Sequence, residues 1–281
     1  MSYQGGRIMK RRVIIQVLSV VLAAASYLSA FQLESEIVKQ RSKWESILKK
    51  GEIIKHEDIG EGITKPKRIF LKAGDVETSG CWKCCEGIQK GYKENWEYEI
   101  AAYKLDLYFG MGMVPPTVER RFRGRRGSLQ LWVDLELSDL ERYNQKIPIP
   151  ENRQEHCDKM LYLARAFDSL IGNIDRTQQN IRWTGDWCLI LIDHSRSFRT
   201  KRLYTDQLIY GQNGLRKTMG FDQLPRGFVQ KVKALNKDKV RSIVGEYLSY
   251  NEIEAMMMRR KLLLKDIEEL IEEKGEAAVL Y

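Results

Sequence analysis

The stretch that most limits what this chain can fold into is "GNIDRTQQNIRWTGDWCLILIDHSRSF", Gly172 to Phe198. It follows "EHCDKMLYLARAFDSLIGN", where Met160, Leu163, Ala164, Phe167, Leu170 and Ile171 recur at helical intervals. Gly172 and Asn173 stop that helix. "NIRWTGDWCLILID" then reads as a hairpin turning at Thr184-Gly185-Asp186. Asp175 lies in the loop, Asn180 five residues on, and Asp193 thirteen after that, closing an apolar strand. A carboxylate at the end of a buried run needs a partner, and a cation is a natural one. A helix, a loop and a hairpin must therefore converge on a polar site. The plainer reading is that Asp175 and Asn180 are turn residues and Asp193 a strand-end surface residue.

Upstream, "ESEIVKQRSKWESILKK" (34–50) places Ile37, Trp44, Ile47 and Leu48 on one helical face. "GEGITKPKRIF" breaks it with Gly and Pro. "RIFLKAG" and "VETSGCWKCC" read as strands joined at Gly74-Asp75. "KENWEYEIAAYKLDLYFGM" reads as a helix with Trp96, Ile100, Tyr103 and Leu107 on one face, ending near Gly110 or Gly112. "MVPPTVERRFRGRRGSLQLWVDLEL" reads as two strands around a basic turn, a solvated tip rich in arginine. From Asn152 the pattern is mainly helical, including "LPRGFVQKVKALNKDKVRSIVGEYL" and "NEIEAMMMRRKLLLKDIEELIEEKG". The expectation is an α+β, bilobal arrangement: a small β-rich lobe with one main helix (60–135) and a larger helical lobe (136–281).

Phosphoryl transfer suits these parts. It needs a lysine on the phosphates, a metal held by carboxylate and amide oxygens, and a carboxylate that orients the attacking hydroxyl. An Asp followed five residues later by an Asn, with a further Asp beyond a hairpin, is the order used in kinase catalytic segments. Asp175 is then the base, with Asn180 and Asp193 the metal ligands. Lys83, just upstream of the helix, is preferred over Lys72 as the phosphate lysine, each being otherwise a solvated strand residue. Glu99 is preferred over Glu97 as its helix partner because it precedes "IAAY", whose small residues permit close packing. Asp168 is expected to brace the Asp175 turn by accepting backbone hydrogen bonds.

"YEIAAYKLDLYFGMGMVPPTVERR", "FDSLIGNIDR" and "LILIDHSRSF" resemble the secretory-pathway kinases, the Golgi casein kinase and Four-jointed family. The Asp-Arg-x-x-x-Asn run also resembles phosphatidylinositol 3-/4-kinases. The resemblance implies a protein-kinase-like fold and an ATP-dependent kinase using Mg or Mn. Its acceptor would be a hydroxyl on a protein Ser/Thr or a glycan, with a lipid as the alternative. A binding-only pseudokinase is the other alternative. It implies that Asp175 is the catalytic base, Asp193 a metal ligand, and Lys83 and Glu99 the phosphate lysine and its acid. Asn180 matches the lipid-kinase amide better. Leu131, Trp132 and Val133 would run into the adenine-binding hinge. The chain departs from these relatives in having no Gly-x-Gly-x-x-Gly before Lys83, Thr177 and Gln178 where histidine is common, and His194-Ser195 in place of a glycine-containing segment.

Charge and the N-terminus bear on location. Arg7, Lys10, Arg11 and Arg12 supply four of the +9 formal charges, leaving +5 for residues 31–281, too modest to imply nucleic-acid binding. "RIMKRRVIIQVLSVVLAAASYLSAF" is basic and then uncharged from Val13 to Phe31, near the ~20 residues that span a bilayer. Residues 1–31 are thus expected to be a signal peptide or anchor, 32–59 an amphipathic helix and linker, and the domain extracytoplasmic, contacting membrane through its N-terminus. A buried N-terminal helix is the alternative. Cys81, Cys84 and Cys85 lack the second pair or His ligands that a zinc site needs. The oligomeric state is not written in the sequence.

Overall fold

The computed structural model describes residues 36–60, 65–134 and 136–281. The first part is rich in strands and the second mostly helical. Helix α1 (Arg41–Lys50) follows a short helical turn at Glu36–Lys39. Strands β1 (Glu52–Asp58), β2 (Lys67–Ala73) and β3 (Val76–Lys83) come next, with β2 and β3 joined through Gly74 at φ +60°. After β6 (Thr117–Phe122) and β7 (Arg125–Leu131) the sheet is complete in the order β1-β2-β3-β7-β6, antiparallel throughout. The β6–β7 turn places Arg123 and Gly124 at φ +49° and +78°, the conformation that lets a two-residue turn follow the strand twist. α1 packs Ile47 and Leu48 onto Ile69, Leu71, Trp82, Val118 and Leu129, forming one core.

Between β3 and the main helix stands a separate hairpin, β4 (Glu86–Gln89) and β5 (Tyr92–Asn95). The sequence pattern assigned Lys93–Asn95 to the helix; here they are strand. The reason is local. Lys90 and Gly91 take φ +47° and +85°, turning the chain so that Lys93 pairs with Ile88 and Glu94 with Gly87. The Asn95 side chain then accepts from the Glu97 N–H at 2.9 Å and starts helix α2 (Glu97–Phe109). Gly110, at φ +75°, ends it.

β8 (Glu136–Ser138) lies outside the first sheet and pairs with β9 (Ile181–Thr184), which pairs with β10 (Leu189–Leu191). Helix α3 (Asp139–Asn144) starts on a Ser138/Glu141 capping box. The long helix α4 (Glu151–Ile171) ends at Gly172, φ +66°. The chain from 199 to 225 is irregular apart from a turn of helix at Leu203–Asp206. Helices α5 (Arg226–Ala234), α6 (Lys237–Val244) and α7 (Tyr250–Lys274) follow; Asn236 caps α6 and a Ser249/Glu252 box caps α7. The second core joins α2, α4 and α7 with β9, β10 and the segments between, around Phe109, Phe167, Phe198 and Phe228. The main helix of the expected small lobe thus buries its side chains in the larger core.

The expectation of a membrane-anchored or exported domain is corrected. Among the described residues no helix is long and apolar enough to cross a membrane. The segment 1–31, on which that reading rested, lies outside the described residues.

Candidate active site

Lys83 is the last residue of β3, held opposite Ser128 of β7. Its Nζ donates to Glu99 Oε1 at 2.6 Å and to Asp193 Oδ1 at 2.7 Å. Burial opposes its charge, but the two carboxylates outweigh that and push its pKa well above the usual lysine range. Glu99, in the first turn of α2, is 2% exposed. Burial alone would raise its pKa; Lys83 and the hydrogen bonds from His194 and Lys83 instead hold the carboxyl well below the usual range. Its second oxygen accepts the His194 N–H at 3.0 Å. Lys72 lies elsewhere, beside Glu77 on exposed strand positions.

Asp193 follows β10 in the left-handed region, φ +59°, a conformation that short polar residues tolerate best. Its Oδ1 also lies 2.9 Å from Ser195 Oγ. Asp175 stands in the loop after α4 with its backbone fixed on both sides. Its N–H donates to Asn173 Oδ1 at 3.1 Å, and its carbonyl accepts from Asn180 Nδ2 at 2.9 Å. Burial raises the Asp175 pKa; Arg196, 3.1 Å from Oδ2, opposes it, while Asp193 and Glu94 add to it.

Asp168 braces this loop, though through side chains where backbone bonds were expected. Fully buried, it accepts from Arg176 Nε at 2.8 Å, from Arg176 Nη2 at 3.0 Å and from Asn173 Nδ2 at 2.9 Å. Arg176 also donates to the carbonyls of Asn180 and Ile192 at 2.9 and 2.7 Å. One guanidinium thereby joins helix, loop and hairpin. Its Nη2 lies 2.9 Å from His194 Nε2. A guanidinium only donates, so Nε2 accepts and the ring proton sits on Nδ1, 3.6 Å from Glu99 Oε2. His194 therefore touches the site, buried between Arg176 and Glu99.

Leu131, Trp132 and Val133 carry the chain out of β7. The Leu131 N–H donates to Pro116 O at 2.8 Å and the Trp132 N–H to Ser79 O at 2.9 Å. The Arg68 guanidinium stacks 4.4 Å from the Trp132 ring.

Three participants escaped sequence reasoning: Glu94, Ser195 and Arg196. Arg196 Nε donates to Glu94 Oε1 at 2.6 Å, and Ser195 Oγ donates to Glu94 Oε2 at 2.5 Å. Arg196 was legible only as part of "DHSRSF", and Glu94 was hidden by the helix assignment.

Among the described residues no cluster of three or more His, Cys, Asp or Glu side chains is arranged to hold a metal. Asn180 and Asp193 are near neighbours through the Ile192 N–H, which donates to Asn180 O at 3.2 Å. One carboxylate and one amide oxygen are hard donors. They fit a Mg-type ion, which keeps several waters and takes the rest of its shell from substrate phosphates.

No protein-family model matches the chain, and no curated protein matches it in sequence. Solved structures do match it in shape. A hydra Fam20 structure with sugar superposes at TM-score 0.62 and 16% identity, over 90% of this chain and 95% of that one. The Golgi casein kinase with Mn/ADP bound superposes at TM-score 0.61 and 15% identity, over 89% of this chain and 80% of that one. The chain shares the fold of these two structures at low sequence identity.

Proposed function

We propose that the chain is an ATP-dependent kinase that transfers the γ-phosphoryl group to a hydroxyl of a protein Ser/Thr or a glycan. The observation that carries this reading is the Lys83 ammonium held between Glu99 and Asp193, with Asp175 on the neighbouring loop. Three elements remote in sequence bring these groups together, and solvated surface charges have no reason to converge so. The Mn/ADP of the Golgi casein kinase structure and the sugar of the hydra structure support the nucleotide and the glycan arm respectively.

In this reading Lys83 meets phosphate oxygens of ATP, and Glu99 fixes its ammonium. Asn180 and Asp193 would hold Mg or Mn, which neutralises charge developing on the phosphates. Asp175 orients the acceptor hydroxyl and takes its proton. The acceptor oxygen forms the new P–O bond while the bond from the γ-phosphorus to the β–γ bridging oxygen breaks, and ADP leaves with that electron pair. The Leu131 and Trp132 N–H groups are committed within the fold, so the backbone donor facing adenine would be Val133.

The test is transfer from radiolabelled ATP with Mg or Mn to protein and glycan acceptors, with a thermal shift by ATP plus Mn alongside. Labelling that is lost in Asp175→Ala, and a shift that is lost in Asp193→Asn, are expected. Labelling equal in wild type and Asp175→Ala, or no shift with either metal, would overturn the reading.

A further inference from the structure

The backbone of Asp175 is fixed by Asn173 and Asn180, but these bonds leave the carboxylate free to turn about its side-chain torsions. Arg196 removes that freedom. Its Nη1 pairs with Asp175 Oδ2 at 3.1 Å, while its Nε donates to Glu94 Oε1 at 2.6 Å. The guanidinium lies 4.6 Å from the Tyr92 ring centroid and is 14% exposed. Glu94, 2% exposed, is anchored in turn by Ser195 Oγ, and the Asn95 N–H donates to Ser195 O at 3.0 Å. The β4–β5 hairpin is thus fastened to the segment after Asp193 by backbone and side chain, and Arg196 carries that fastening to the loop.

We propose that Arg196, seated on Glu94 and Tyr92 of the β4–β5 hairpin, is the positioning residue that aims the Asp175 carboxylate at the acceptor hydroxyl. This rests on the kinase reading above. A planar guanidinium presents its Nη and Nε donors in fixed directions, so one group can face two carboxylates at once. Pairing through Oδ2 turns Oδ1 toward the acceptor. Arg196 makes no hydrogen bond to Lys83 or Glu99, so its role separates from nucleotide binding. Placing a reacting group about 1 Å off its productive position costs about 10²-fold in rate. That sets the scale expected for kcat in Arg196→Ala, with KM for ATP within about twofold of wild type.

The experiment uses the full chain with labelled ATP and an acceptor found by the transfer screen. Steady-state kcat and KM are measured for Arg196→Ala, Arg196→Gln, Glu94→Gln, Asp175→Asn and Asp175→Asn/Arg196→Ala, with and without guanidinium ion in the buffer. The expected result is a kcat loss of about 10²-fold in either Arg196 variant and about tenfold in Glu94→Gln. Guanidinium should recover part of the loss in Arg196→Ala and none in Asp175→Asn/Arg196→Ala. Arg196→Gln preserves most of the side-chain volume and replaces Arg196→Ala if that variant does not fold. A kcat within threefold of wild type in the Arg196 variants would overturn the proposal. So would a loss as large in the Asp175→Asn background, or an absence of rescue. A wild-type chain that transfers nothing would instead remove the kinase reading, and this inference with it.

Discussion

Truncating Asp168 to Ala tests how the site is held together. Asp168 is fully buried and accepts three hydrogen bonds, two from Arg176 and one from Asn173. Arg176 has a side chain 3% exposed. Burial works against its charge, and Asp168 is the group that keeps its pKa above the usual value. The variant leaves that guanidinium buried without a counter-ion, still bonded to two carbonyls and His194. Breaking one side of a buried ion pair costs roughly 3–5 kcal/mol. Domains of this kind are stable by roughly 5–15 kcal/mol, so the variant should fold but sit near its threshold. With an unfolding entropy of about 2.1 cal/mol/K per residue, the fall in Tm is roughly 5–8 °C. Urea unfolding at neutral pH and a thermal melt are the assays. The informative partner is Asp168→Leu/Arg176→Met, which removes both charges and should regain much of the loss. A loss below about 1 kcal/mol in Asp168→Ala would refute the brace. A double variant weaker than the single would refute the argument from the unpaired charge.

Lys83→Met should lower kcat by about 10²–10³-fold, the usual cost of one electrostatic stabiliser in a closed site, and weaken the shift given by ATP plus Mn. Transfer within tenfold of wild type would contradict the phosphate-lysine role. Gly127→Ala should destabilise the chain by about 1–3 kcal/mol and impair transfer, because its Cβ would collide with the Lys83 carbonyl and press on the Trp82 indole at 2.8 Å. A melt and a KM for ATP unchanged from wild type would show that β3 yields there at no cost. Glu252 takes hydrogen bonds from Tyr98, Lys93 and its own cap; burial raises its pKa, but those bonds win and hold it below its ordinary 4.5. A depressed folded pKa gives stability that is present above the unfolded value and lost as pH falls through the folded one. Wild-type stability should therefore decline more steeply than that of Glu252→Gln below about pH 4.5, read from urea midpoints across the acid range. Parallel curves would refute it.

What the sequence disclosed was what local pattern carries. The periodicity from Met160 to Ile171, the Gly172 stop and the Thr184-Gly185-Asp186 turn are local, and the elements follow them. Asp175, Asn180 and Asp193 could be singled out because spacing along a loop and hairpin is also local. Lys83 and Glu99 needed only the order of strand and helix. The hairpin at 86–95 was missed because Lys93–Asn95 continue the helical pattern smoothly. Only the positive φ of Lys90 and Gly91 reverses the chain before the helix begins. Arg196 and Glu94 lie 102 positions apart, and no pattern in one sequence pairs them. Asp168 shows the middle case. Its position before the loop marked it as a brace, but the partner that makes it one is Arg176, through a side chain whose direction only the packed core determines.

The two cores divide the groups of the site between them. Lys83 is carried by the sheet whose core is Ile47, Leu48, Ile69, Leu71, Trp82 and Leu129. Glu99 rides on α2, whose buried Tyr98, Ala101, Ala102, Leu105 and Phe109 belong to the core of α4 and α7. Glu252 on α7 meets Tyr98 at one end of α2. At the other end Asp106, fully buried, accepts from the N–H groups of Gly112, Met113 and Val114. A close-packed interior does not deform continuously, so α2 cannot swing without opening the larger core. Glu99, His194 and Asp193 therefore form one rigid half of the site, joined by the His194 N–H on Glu99. The 2.6 and 2.7 Å contacts of Lys83 are where the other half closes on it. Parting the sheet from that half would break both Lys83 contacts together, and with them the Arg41–Asp106 and Tyr103–Glu45 pairs that tie α1 to α2. The site is therefore closed by charged contacts across the boundary of the two cores, with Lys83 at its centre.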